Sequence, residues 1–142
     1  MKELDEFSYR CGVIDCFSEM VKAKLKPMAM AHPCHDLDQR DSYIPFVTKI
    51  CQNYGIKYYL DDDPLLSDLF PLALNKDTYN IILYQDDAII KKYQQLKHQK
   101  QLALQQGNYE HLRNDIAYQF GKLLGYDDST IKRYILENND KE

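Results

Sequence analysis

Hydrophobic positions along the chain alternate between helical and strand-like spacing. Leu4, Phe7, Cys11, Ile14, Phe17, Val21 and Leu25 recur every three or four residues, the stripe of an amphipathic helix running to about Lys24. Gly12 inside that stripe predicts a close backbone approach by a neighbouring element. Pro27 ends the helix, and Met28, Ala29, Met30 and Ala31 then form the short apolar run of a small buried strand. Asp41 or Ser42 is placed to cap a second helix, with Pro45 in its first turn and Tyr43, Val47, Ile50, Cys51 and Tyr54 on its apolar face. Gly55 falls where a C′ glycine belongs. Ile56, Lys57, Tyr58, Tyr59 and Leu60 combine β-branched and aromatic residues over strand length and stop at three consecutive aspartates.

Asp63 followed by Pro64 is an N-cap and N1 pair, predicting a short helix that ends before Pro71, and residues 75–78 have turn chemistry. Residues 79–84, with Ile81, Ile82 and Leu83 continuous, predict a third strand buried on both faces. From Asp86 the spacing is helical: Ile89, Tyr93, Leu96 and Ala103 share a face that Lys100 interrupts, and Gly107 stops the helix. Asn108 caps the next, whose Tyr109, Leu112, Ile116, Phe120 and Leu123 form a stripe ending at Gly125, so the two make a helical hairpin. A last helix after Asp127 or Asp128 is anchored by Ile131, Tyr134 and Ile135, and residues 138–142 are expected to be a frayed polar tail.

Successive strands separated by helices predict a small, helix-rich α/β domain with a three-stranded parallel sheet. The alternative is an α+β arrangement in which the Ile81 strand pairs antiparallel. The chain has 142 residues, a length suited to one domain spanning 1–142. Three strands leave two sheet edges, which together with the twelve tyrosines, Tyr58, Tyr59, Tyr79 and Tyr84 at strand positions among them, favour a homo-oligomer or a protein partner.

Charge removes some classes. Lys and Arg total 18 against 22 Asp and Glu, a net charge of −4, so no global basic field favours nucleic acid. The most basic stretch, Lys91, Lys92, Lys97, His98 and Lys100, is interleaved with glutamines and reads as a solvated helix face. Residues 1–6 precede no secretory h-region and no apolar run is long enough to cross a bilayer, so a cytoplasmic location away from membranes is expected. In that compartment Cys11, Cys16, Cys34 and Cys51 stay reduced; Cys11 and Cys16 stand about 140° apart around an ideal helix, unsuited to sharing a ligand.

Candidate chemistry lies where the strands end. His32, Cys34 and His35 follow the first, Asp61, Asp62 and Asp63 the second, and Asp86 and Asp87 the third. In a parallel sheet these clusters would converge on one crevice. His32, Cys34 and His35 are then catalytic candidates, Cys34 as nucleophile with an imidazole as base, while Asp61, Asp63 and Asp86 offer hard oxygen ligands to a divalent metal. A metal-dependent hydrolase acting on a small phosphorylated substrate is one reading. Helix capping accounts for Asp63 and Asp86 without any metal. His111, Asp115, Tyr118 and Lys122 share a face of the penultimate helix, opposite its apolar stripe. No phosphate-binding glycine loop, nucleophile elbow or C-x-x-C pair is present, and a non-catalytic regulatory or protein-interaction module is the favoured reading.

Overall fold

The computed structural model of the chain describes residues 3–142. Its elements are α1 (Glu6–Lys22), β1 (Met28–Met30), α2 (Leu37–Ser42), α3 (Ile44–Tyr54), β2 (Lys57–Asp61), α4 (Leu72–Asn75), β3 (Asn80–Tyr84), α5 (Asp87–Gln105), α6 (Tyr109–Leu123) and α7 (Asp128–Glu137). Asp5, Asp36, Asp86 and Asp127 accept a backbone N–H in the first turns of α1, α2, α5 and α7. These are donors a helix cannot satisfy internally. The segment around Asp41 differs from expectation: α2 runs through Asp41 and Ser42, and α3 starts at Ile44 with Pro45 in its first turn.

β3 is central, and both β1 and β2 pair with it antiparallel. The parallel sheet expected from the strand–helix alternation is therefore overturned, and the molecule is a helix-rich α+β fold. The cause lies in the connection before β3. A parallel return needs a substantial crossover, usually a helix. The helix expected from Asp63 to Pro71 does not form, because neighbours take up the amides of that segment: Asp63 N–H donates to Asp61, Leu65 N–H to the Tyr93 hydroxyl and Leu69 N–H to Ser67. Only the one-turn α4 follows, after Pro71. The chain thus re-enters the sheet at the end where β2 left it, with Asp61 opposite Asn80.

The alternation of β3 divides the core. Ile82 faces the helical layer of α5, α6 and α7, packed with Met28, Tyr93, Phe120, Ile116 and Ile131. Ile81 and Leu83 face α1 and α3, packed with Ala29, Ile14, Val21, Val47 and Cys51. Leu4 and Leu25, the outermost positions of the α1 stripe, are exposed. Among the described residues a Cβ at Gly12 would meet nothing within 4 Å, whereas Gly121 on α6 lies hard against Ile131 of α7, so the close approach expected at the first glycine occurs at the second. The segment 138–142, expected to fray, is hydrogen-bonded to the body: the buried Asn138 amide donates to the Asp68 carbonyl, and Asp140 accepts from the Leu72 and Ala73 N–H groups. No described helix is long and apolar enough to cross a membrane.

Candidate functional site

Where β2 ends and β3 begins, two buried charges hold the strands together. Arg40, on α2 and 3% exposed, donates to the carbonyls of Asn80 (3.1 Å) and Asp61 (3.4 Å) and to the carboxylates of Asp62 (2.6 Å) and Asp41 (2.8 Å). Its planar fork suits it to join two strands and an adjacent loop at once. The Asp61 carboxylate, 1% exposed, accepts from the Tyr93 hydroxyl, from Lys97 Nζ (2.9 Å) and from the Asp63 N–H (3.2 Å). Burial, and then the adjacent Asp61 carboxylate, push the Tyr93 hydroxyl pKa upward, so it remains a proton donor throughout the physiological range.

Asp61 and Asp63 are thus neighbours, but Asp86 is not with them. It caps α5 beyond the far end of β3, on the order of 20 Å away at strand rise. The antiparallel direction of β3 takes its C-terminal end to the side where Lys57 pairs with Asp87 (2.7 Å), so the expected convergence of three strand-end clusters does not occur.

The first cluster sits at the same end of the sheet as Asp61, where an isolated bridge joins Cys34 to Tyr79. Cys34 is buried; its Sγ accepts from Arg10 Nη1 (3.0 Å) and its thiol approaches the His32 carbonyl (3.7 Å). Burial raises the thiol pKa and Arg10 opposes that rise without reversing it. His32 is half-buried, its ring 5.5 Å from that of Tyr9, and its Nε2 lacks a hydrogen-bond partner among the described residues. Burial, with Arg10 nearby, lowers its pKa and keeps the imidazole neutral. His35 is exposed. Among the described residues no three His, Cys, Asp or Glu side chains are grouped to hold a metal ion.

On the α6 face, His111, Asp115 and Lys122 are exposed and Tyr118 half-buried; Asp115 accepts from Gln119 and Lys122 pairs with Asp128. All four cysteines are free thiols.

The basic stretch of α5 is not wholly solvated. Lys97 reaches Asp61, and Lys100, 8% exposed, donates to the Leu66 carbonyl (2.6 Å) and to Glu142 (2.5 Å). The signal was present in the spacing: positions 97 and 100 continue the face of Tyr93 by steps of four and three. Arg113 holds the buried Asp68 by two bonds of 2.8 and 2.9 Å, a pair for which the sequence offered no local sign. No protein-family model matches the chain, and no curated protein or solved structure matches it either.

Proposed function

We propose that the chain is a non-catalytic protein-interaction module that self-associates through the free edge of β2. The observation that carries this reading is the sheet order: β2 lies at an edge, among the described residues pairs with β3 alone, and keeps Tyr58, Tyr59 and Leu60 half-exposed along its length. An edge strand of that kind presents unpaired N–H and C=O groups to another chain, and here Lys57 is the one charged gatekeeper outside the core. A two-fold axis at Tyr59 would set Tyr59 of each copy against the other on one face and Tyr58 against Leu60 on the opposite face. Such aromatic and aromatic–aliphatic cross-strand pairs stabilise antiparallel ladders. β1, the other edge, is a poorer candidate, with three residues of which Met28 and Ala29 are buried.

Light scattering coupled to size exclusion, from low to high micromolar protein, tests the reading. The chain should run as a dimer, and Tyr59→Lys should be monomeric with an unchanged far-ultraviolet spectrum. A strict monomer at every concentration, or a dimer untouched by Tyr59→Lys, overturns it.

A further inference from the structure

His32, in the segment that follows β1, is seated so that only its neutral form fits. The ring is half-buried against Tyr9 of α1, centroids 5.5 Å apart, and its Nε2 is sealed from water with no hydrogen-bond partner among the described residues. A neutral imidazole with its proton on Nδ1 leaves only an unused lone pair in that seat. An imidazolium would put an N–H there with neither an acceptor nor water, an arrangement that folded proteins avoid. The charged groups that act on the ring both come from α1: Arg10 opposes its protonation, and the exposed Glu6 favours it more weakly. Cys34 of its own segment and Tyr43 at the end of α2 keep their protons, since burial raises the pKa of each, and Arg40 of α2 acts on Cys34. Burial and then Arg10 hold the His32 pKa below its ordinary value.

The part of α1 that this ring touches is lightly held. Residues 6–9 are exposed, and these first turns reach the body through the Phe7 ring stacked on Tyr43 at 5.0 Å, the Tyr9 ring on His32 and the Arg10 guanidinium on Cys34. Farther along, Cys11 and Ile14 are buried in the core, and Gly12 stands between them with open space around it. Glycine there packs against nothing and weakens the helix by about 1 kcal/mol relative to alanine, so the first turns can open without the rest of α1. We propose that His32 is an acid-operated latch: on taking up a proton the ring leaves its seat, and residues 6–10 of α1 detach, uncovering the Phe7–Tyr43 pair and the Cys34 thiol. The closed form excludes the proton and the open form accepts it near the ordinary histidine value of about 6.5, so closure is fully favoured above that pH and is lost as pH falls below it. With protonation confined to the open form, the open population at pH 5.0 rises at most about thirtyfold over that at pH 7.5.

The test is amide hydrogen exchange on the full chain at pH 7.5 and pH 5.0, expressed as protection factors so that the intrinsic pH dependence of exchange drops out. The amides of Arg10 and Cys11 bond back to residues 6 and 7 within α1, and two detached turns are too short to stay helical alone. Those amides should lose protection severalfold, up to about thirtyfold, at the lower pH, while Ile82 and Leu83 of β3 lose about twofold or less. Asp5 and Glu6 remain largely ionised at pH 5.0 and do not supply the change. His32→Phe keeps a ring against Tyr9 that cannot protonate, and its protection at Arg10 and Cys11 should be equal at the two pH values. His35→Gln, at the exposed neighbour, should retain the fall. The ¹⁵N ring resonances of His32 should titrate with a midpoint below about 6.5. The proposal is overturned by a fall that survives in His32→Phe, by no fall in the native chain, by an equal loss in β3, which would be global unfolding, or by a His32 midpoint at or above 6.5.

Discussion

Cys51, on the inner face of α3, is 4% exposed within the cluster formed by α1, α3 and the sheet. Burial pushes its thiol from an ordinary value near 9 up to about 11. Between those values the unfolded chain has released a proton that the folded chain keeps, so stability falls as pH rises. The contribution is complete below about pH 9 and is lost on the approach to pH 11, a change of about 2 kcal/mol. Cys51→Val keeps a small apolar group there and removes the titration. In urea unfolding at a series of alkaline pH values, the stability of the native chain relative to that variant should decline through this window; parallel curves would remove the assignment. A reduced, buried Cys51 could be read from its place in an apolar helical stripe, because that inference needs only local spacing. The roles of Arg40 and Asp68 could not. Their partners Asn80 and Arg113 are distant along the chain, and pairings of that kind appear only once the fold is known.

Between elements, α6 and α7 approach closely where they cross. A Cβ at Gly121 would stand 2.5 Å from Ile131 Cγ1 and 2.7 Å from Cδ1, so the absence of a side chain is what lets the two helices approach. Gly121→Ala should cost about 1–3 kcal/mol through overpacking. In Ile131→Ala the same glycine substitution should cost much less, a coupling that a double-mutant cycle of chemical denaturation measures. Gly12→Ala should go the other way. That position faces open space in the interior of α1, and alanine there should stabilise by roughly 0.5–1 kcal/mol. If both glycines respond alike, the packing account is wrong. Periodicity located the three strands and the long helices because each buries one face or runs through the core. It did not determine strand direction, which depends on how 62–79 returns to the sheet. There an Asp–Pro helix start was outcompeted by hydrogen bonds to Tyr93, Asp61 and Ser67. The candidate site followed the same division: its residue types were visible at the strand ends, and the antiparallel β3 then carried Asp86 away from Asp61.

At the scale of the whole molecule, the long irregular segment 62–71 raises the question of what orders it, since it has almost no secondary structure to satisfy its own backbone. Much of the answer is the C-terminal segment 138–142, which bonds to parts of the chain far from it in sequence. Asn138 Nδ2 donates to the Asp68 carbonyl (3.0 Å), and Asp140 accepts from Leu72 N–H (3.0 Å) and Ala73 N–H (2.9 Å). Glu142 takes Lys100 at 2.5 Å through its side chain and Arg113 at 2.8 Å through its main-chain oxygen. The Lys100 ammonium also holds the Leu66 carbonyl, and Arg113 also holds Asp68, so the tail, the irregular segment, α5 and α6 share one polar network. Asp140 and Glu142 are themselves exposed, but Asn138, Asp68 and Lys100 at the centre of the network are buried, so removing the tail leaves a half-paired ammonium and an unpaired carbonyl in poor contact with water rather than merely exposing a strand of polar chain. Ending the chain at Glu137 should therefore destabilise it by about 3 kcal/mol, more than the loss of exposed surface pairs, which are worth roughly 0–1 kcal/mol each. Hydrogen exchange locates the effect. The amides of Leu65, Leu69 and Leu72 should lose protection in the truncated chain while those of β3 exchange only as fast as global stability requires. Uniform loss of protection, or none, would mean that the tail rests on the surface without ordering the segment beneath it.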